Sequence, residues 1–573
     1  MRINVYIVFL AICVAVTNAS AQDYKKVTFH GNARSLFYAD KLVQGNPEPD
    51  TVTIPKLNSG HVMVDLGVDI RPNKNTEIVG MVRIRNDYGG FWGSGVTFDI
   101  RQLSVKGVVG GIVRYQLGDI NYRMTKYTMW NYDQELVSNM PAIFQQQTDV
   151  VNYDHFYFND NSRRQQGAAA ECALVFRKYV QELQLHAVTT RVRTSDFGAS
   201  GDRLFTGLNA QLLQSKYLEL GFNYAAMYDV PGTARTTYQF RNPVLTGTAE
   251  VRLDFKGIDW KAAAEFGKSG TRFKNLEAAP AWDDRFINTR FSAHHRNSGV
   301  RLTVNPLLTG SAFRSPGAQT KRIDFGALPD AYTRVTNDQV LRAPMMLDYM
   351  RESSFYTLQL QPYLMAINPA YDNITPYGDA TPNRQGVIAS VDYAKENSPL
   401  TASISHAQLQ EVRGEGTLKP RKFSRNLVNA GVHVNRFFSD WKKNFHVSVL
   451  YRNDQTTRAE DELVRGVDLK TNVLGIGAEA EILKGFDLMI GLQNISYEGF
   501  DFTAVRGDFS EIINFRENKI DGAEKMFAYG ARYRFNENAF ISAQMTNCER
   551  TSGDSAVFPN EIRQFMLLFN MKF

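Results

Sequence analysis

The chain closes on Ile562-Arg563-Gln564-Phe565-Met566-Leu567-Leu568-Phe569-Asn570-Met571-Lys572-Phe573, where Phe565, Leu567, Phe569, Met571 and Phe573 occupy every second position. In a strand these five share one face, because successive side chains point to opposite sides. The other face carries Gln564, Asn570 and Lys572, with Met566 and Leu568 between them. A strand of a water-soluble sandwich alternates in the same way. The rest of the chain therefore has to decide between the two.

The same rule recurs upstream. Val62, Val64, Leu66, Val68 and Ile70 oppose Asp65, Asp69 and Arg71. Ala249, Val251, Leu253 and Phe255 oppose Glu250, Arg252, Asp254 and Lys256. Leu474, Ile476, Ala478, Ala480 and Ile482 oppose Gly475, Gly477, Glu479 and Glu481, and Phe527, Tyr529, Ala531, Tyr533 and Phe535 oppose Arg532 and Arg534. One apolar face set against one charged or small face is what a membrane barrel requires, with lipid outside and water or polar loops inside. Every backbone group must be paired in lipid, so such a sheet has to close. After the first segment there is no run of about 18 apolar residues, and the mean hydropathy of -0.32 is too low for a bundle of membrane helices. The net charge of +6 is spread along the chain and gives no case for nucleic acid.

This closing strand, with its alternating aromatics and terminal Phe573, resembles the last strand of bacterial outer-membrane β-barrels. The Tyr-rich strands and Asn/Asp-rich loops are similar in style to outer-membrane proteins of Bacteroidota. The resemblance implies an outer-membrane location, contact with outer-membrane lipid, and a closing strand, Phe569 and Phe573 included, that the barrel-insertion machinery reads. It implies no functional residue.

The N-terminus has the pattern of a secretory signal: Arg2, an apolar stretch from Val5 to Val16, and the small residues Ala19-Ser20-Ala21. Residues 1–21 are expected to be a signal peptide and 22–573 a single barrel domain. Cys13 then belongs to the signal, because bulky Ile12 precedes it and a better cleavage site follows. Cys172 and Cys548 lie far apart in the strand order and are not expected to pair.

Turn residues divide the chain further. Arg71-Pro72-Asn73-Lys74-Asn75, Lys106-Gly107, Lys256-Gly257, Lys484-Gly485 and Asn536-Glu537-Asn538 read as short turns. They alternate with longer loops, including 499–524, and the longest are 124–166 and 306–384. Short periplasmic turns alternating with long outer loops are the expected topology of an antiparallel transmembrane barrel. The tally is about 22 strands, within a range of 16–24, with both termini periplasmic. The stretch 306–384 exceeds an ordinary loop. It reads either as an extracellular cap or as a segment folded into the lumen, with room for a strand over Phe355–Gln361 and a short helix over Asp338–Arg351.

No catalytic pattern stands out: there is no HExxH, GxSxG, P-loop or paired CxxC. The chain is read as a non-enzyme without a cofactor or metal. His294 and His295 are adjacent, so a strand turns them to opposite faces and they make a poor metal pair. The predicted inward face carries Arg83, Arg85, Arg114, Glu250, Arg252, Asp254, Arg532 and Arg534, which are candidate pore-lining residues. Trp130, Tyr132, Tyr153 and Tyr157 in loop 124–166 stand beside carboxylates and are candidates for binding a solute or sugar. Large aromatics more often bury themselves, and that is the favoured role here.

Two functions follow. The first is a porin-like channel for small polar solutes, since a barrel of this size leaves a lumen. Strand-like pattern begins near Val27, which leaves no room for an N-terminal plug domain. The second is an accessory or structural barrel of a secretion, assembly or surface-attachment complex, with other outer-membrane subunits as partners. Loops that fill the lumen favour the second, and loops that lie outside it favour the first.

Overall fold

The computed structural model describes residues 26–43, 56–88, 95–130, 139–155, 165–193, 195, 201–235, 239–275, 282–318, 322–323, 335–336, 374–376, 378–438, 440–462, 464–506, 512–552 and 561–573. The signal-peptide region, Tyr132, Tyr157, and the strand and helix anticipated within 338–361 lie outside these residues.

In chain order the strands are β1 (Val27–Val43), β2 (Lys56–Asn73), β3 (Thr76–Asp87), β4 (Val96–Val109), β5 (Val113–Ile120), β6 (Gln165–Val175), β7 (Glu182–Arg193) and β8 (Arg203–Leu213). Next come β9 (Leu218–Asp229), β10 (Gln239–Phe255), β11 (Ile258–Lys274), β12 (Trp282–His295) and β13 (Val300–Thr309). A two-residue pair, β14 (Arg322–Ile323) with β15 (Val335–Thr336), stands apart from the rest. The series resumes with β16 (Arg384–Ala394), β17 (Leu400–Gln410), β18 (Lys422–His433), β19 (Phe445–Arg458) and β20 (Val467–Leu483). It ends with β21 (Phe486–Arg506), β22 (Ile512–Asn536), β23 (Ala539–Ser552) and β24 (Glu561–Lys572).

Apart from β14 and β15, the strands form one 22-stranded sheet, each antiparallel to its chain neighbours. The sheet closes where β24 pairs with β1, from Asn32 opposite Lys572 to Val43 opposite Glu561. Beyond that register the Gly31 N–H donates to the Phe573 carbonyl at 2.8 Å. A Cβ on Gly31 would fall 2.6 Å from the Phe573 ring, so only glycine lets the terminal aromatic lie across the seam. This is the transmembrane barrel of about 22 strands expected from the alternation.

The outer wall is apolar and open to its surroundings, as lipid contact demands: Phe98 is 70 % and Ile100 64 % exposed. Such a closed, lipid-facing barrel belongs in the outer membrane. Short turns gather at the end that holds both termini, which places that end in the periplasm. At Lys256-Gly257 both residues take positive φ, 50° and 75°, the two-residue turn whose twist matches the strands it joins.

Two expectations change. The loop anticipated over 499–524 is largely strand, because β21 and β22 pair continuously from Phe486–Tyr533 up to Arg506–Ile512. Past the membrane the outer face is no longer apolar, so Glu498, Arg516, Glu517 and Lys519 do not alternate with apolar partners and the strand signal fades from the sequence. Loop 124–166, in turn, contains a helix, α1 (Ala142–His155).

Cys172 and Cys548 are both free thiols. No described helix is long and apolar enough to cross a membrane, and the spans here are strands.

Candidate functional site in the barrel lumen

Inward residues change character along several strands. In β10 the inward positions Phe240, Asn242, Val244 and Thr246 are buried near the extracellular end, and burial is lost toward Phe255 at the periplasmic turn. β8 and β20 follow the same gradient. The extracellular part of the lumen is therefore packed, and the periplasmic part is a wet vestibule.

Part of the packing is α1 and the residues just before it. Met140, Ile143 and Phe144 form an apolar cluster with Met489, Met526, Ala528, Cys548 and Ile562 of the wall. Ile143 and Phe144 are fully buried, and each such side chain contributes about 1.5–3 kcal/mol relative to exposure. The wall makes room with glycines. A Cβ on Gly491 would lie 2.6 Å from Ile143 Cγ2, and one on Gly477 would lie 2.5 Å from the Pro141 ring. One on Gly431 would lie 2.7 Å from Asn139 Oδ1. These three positions on β18, β20 and β21 form a seat for residues 139–144. Further along, Gln147 Nε2 donates to Gln564 Oε1 of β24 at 3.0 Å. Asp149 has an accessible side chain that accepts from Gln145 Nε2 at 2.7 Å, and its surroundings inside the barrel push its carboxyl pKa up by desolvation.

The last turn of α1 is anchored on β1–β4. Tyr153 Oη donates to Asp65 Oδ2 at 2.5 Å, and the Arg101 guanidinium donates to the Tyr153 carbonyl, one of the carbonyls a helix C-terminus leaves unpaired. Arg101, Arg83 and Arg34 lie 4.2, 5.5 and 5.9 Å from the centre of the Tyr153 ring. Cations at a helix C-terminus and over an aromatic face are both favourable. Arg83 clasps Asp65 with two bonds of 2.8 Å, and Arg34 Nη2 meets His61 Nε2 at 3.0 Å. Burial raises the pKa of the Tyr153 hydroxyl, opposed by Arg101 and reinforced by the Asp65 carboxylate. Tyr153 is therefore expected to stay a neutral donor through the ordinary phenol range. The alkaline phenolate absorbance of the wild type minus that of Tyr153→Phe should show a late-titrating tyrosine, and a difference curve at the usual phenol midpoint would contradict this geometry.

The earlier arm of the same loop, residues 122–130, lies on the other side of the circumference. The Tyr127 ring stacks on Phe286 at 3.9 Å, with Phe313 edge-on to both. Its hydroxyl accepts from Asn288 Nδ2 at 3.2 Å, and burial first, then Asp379, pushes that hydroxyl's pKa up. Thr125 Oγ1 donates to Glu265 at 2.5 Å, and Lys126 Nζ donates to Asp379 at 2.6 Å. Residues 310–318, the start of the longest loop, fold in beside this arm. Ser315 Oγ donates to the Tyr127 carbonyl and the Trp130 N–H to the Gly317 carbonyl. The described ends of loop 306–384 thus lie in the lumen.

The candidate residues fall into two groups. Arg83 and Arg85 point inward but are only 1 % and 6 % exposed, the former covered by Tyr153. Arg114, Arg252 and Asp254, at 74, 48 and 59 % exposed, line the vestibule with Glu250, Arg532 and Arg534. Tyr153 and Trp130 both serve packing, with the Trp130 ring 5.8 Å from the Arg123 guanidinium. Phe569 faces outward against Phe535 at 6.4 Å. His294 sits 3.8 Å from Asp259, and His295 Nδ1 lies 2.8 Å from Ser298 Oγ. Among the described residues no three His, Cys, Asp or Glu side chains could hold a metal ion.

No family model matches the chain, and no curated protein matches it in sequence. Among solved structures it is similar to the P pilus usher PapC translocation pore, at 8 % identity over 95 % of this chain and 99 % of that one, with a TM-score of 0.38. It is also similar to OccAB1 of Acinetobacter baumannii, at 8 % identity over 96 % and 97 % with a TM-score of 0.31. A BenF-like porin from Pseudomonas fluorescens matches at 10 % identity over 95 % and 98 % with a TM-score of 0.32. Superpositions this loose carry no argument about activity.

Proposed function

We propose that the protein is an outer-membrane channel for small polar solutes, with residues 121–130 and 139–155 of the loop between β5 and β6 as its constriction. One observation carries the reading: both described arms of this loop follow the wall. Residues 122–130 pack toward β8–β13, and residues 139–155 run from β17 and β18 round to β1–β4. A helix filling the lumen would be covered on every side. In α1 Ile143, Phe144 and Gln147 face the wall, and the Asp149 side chain stays accessible. A wall-hugging loop narrows a pore, while charged walls of both signs beneath it orient polar solutes. The closing strand, sealed by Phe573 across Gly31, supports Phe569 and Phe573 as the signal for insertion.

The second reading is an accessory barrel of an outer-membrane complex. Loops inside the lumen favour it, and so does the anchoring of α1 at both ends, which suits a fixed scaffold. Planar-bilayer recording of the purified barrel separates the two. A steady, salt-dependent single-channel conductance is expected. A barrel that stays folded by its heat-dependent gel shift but passes no current would defeat the channel reading in favour of the second.

A further inference from the structure

Two stretches of the vestibule follow one pattern: the paired carboxylates outnumber the cations, Lys261 also meeting Glu250 at 2.7 Å. Arg252 lies between Glu250 and Glu219, and Arg296 between Asp254 and Asp259. Arg532 lies between Glu479 and Asp487, and Arg534 between Glu481 and Asp487. In the sector formed by β2–β7 that balance is inverted, with Arg71, Lys74, Lys106 and Arg114 lining one cavity against Glu77 and Glu171. There Glu77 is held by Arg71 at 3.0 Å and Lys106 at 2.9 Å. Glu171 is held by Arg114 at 3.4 Å and the His186 ring at 3.3 Å. Between these two groups lies a cavity of about 710 Å³, bounded by Asn121 and Tyr122 from the start of the constricting loop. The Tyr122 ring stands 6.1 Å from His186.

From this inversion we infer that the cavity is a binding site for a small solute bearing a carboxylate or phosphate group. Arg71, Lys106 and Arg114 are 50, 48 and 74 % exposed and carry more N–H donors than two carboxylates can occupy. The donors left over face an open-sided cavity whose volume falls in the range that holds small ligands, about 300–1,000 Å³. A carboxylate or phosphate brings the acceptors that Arg and Lys forks pair with most strongly. Gln116 and Asn121 add amide groups for the hydroxyls of such a solute. The inference rests on the channel reading for the route by which solute reaches the cavity, directly below the constriction.

The test is calorimetric titration of citrate, and separately of glucose 6-phosphate, into the detergent-solubilised full-length barrel, with sucrose as the neutral control. Saturable binding of at least one anion, weakening as salt is raised, and none of sucrose is expected. The double variant Lys106→Gln/Arg114→Gln should weaken it at least about tenfold, since each charge-assisted pair lost is worth on that order. Arg252→Gln, in a sector of the usual pattern, should leave it within about twofold. If the double variant does not fold, the single Arg114→Gln, at the most exposed of the three cations, carries the same expectation. Absence of saturable anion binding to the folded wild type, or equal loss in Arg252→Gln, would overturn the site. Binding by a barrel that passes no current would overturn the channel reading and leave the site standing. Current without anion binding would do the reverse.

Discussion

Gly491→Leu should lift α1 off the barrel wall and raise the single-channel conductance several-fold, with the barrel itself still folded. The wall cannot yield, because Gly491 pairs with Gly477 on one side and Ala528 on the other within a closed ladder. A Cβ alone would stand 2.6 Å from Ile143 and 2.9 Å from the Phe144 ring, so the helix has to move. Overpacking of this kind costs about 1–3 kcal/mol. The wet lumen then offers the displaced Ile143 and Phe144 nothing apolar in return, at about 1.5–3 kcal/mol each. The strand register is not touched, so the heat-dependent gel shift should survive. Gly475 supplies the control. It lies on the neighbouring strand β20, two residues before Gly477, but a Cβ there would meet Leu450 at 3.5 Å and Pro141 at 4.0 Å, which is ordinary contact. Gly475→Ala should therefore behave as the wild type, in conductance and in the labelling rate of a thiol placed at Gln145. Equal conductance and equal labelling in Gly491→Leu and wild type would show that the helix does not rest on this seat.

That contrast shows where the sequence could and could not be read. Alternation of apolar against polar residues specifies a lipid face and a luminal face. It returned the barrel, the strand count and the inward direction of Arg83, Asp65, Glu250 and Arg252. It also marked Gly475 and Gly477 as members of a small, inward face. What it could not supply was the partner. The seat for Pro141 exists only because β18, β20 and β21 bring Gly431, Gly477 and Gly491 alongside one another, and a pattern of period two has no information across strands. The helix escaped for a related reason. Gln145, Gln146, Gln147, Asp149 and Asn152 dilute its apolar face, and its partners lie on strands up to some 400 residues later in the chain, as Gln564 does for Gln147. Arg114, Arg252, Arg532 and Arg534 were legible as inward charges. The gathering of Arg71, Lys74, Lys106 and Arg114 around Glu77 and Glu171 was not, because it depends on which strands are neighbours.

Asp65→Ala should be the most damaging single change in the lumen, lowering the temperature at which the barrel unfolds and freeing the last turn of α1. Asp65 is fully buried beside Arg83, which is 1 % exposed, with Arg101 at 3.4 Å and the Tyr153 hydroxyl on the same carboxylate. Removing one partner of a buried pair leaves an uncompensated charge, a cost of about 3–5 kcal/mol. Here two guanidiniums lose their carboxylate together. The damage comes from the stranded charge and not from the missing attraction, so Asp65→Leu/Arg83→Met should recover much of the loss by removing both ends of the clasp. Arg114→Gln, 74 % exposed in the vestibule, should stay within about 0.5 kcal/mol of wild type, as surface substitutions do. Gel-shift melting of the wild type, these three variants and the single Asp65→Leu gives the ranking, and hydrogen exchange over 150–155 reports on the helix end. An Asp65→Ala barrel as stable as Arg114→Gln would mean that the clasp and Tyr153 do not hold the loop. The double variant falling below Asp65→Leu alone would mean that the ion pair is itself the stabilising element, and the account of a stranded charge would then fail.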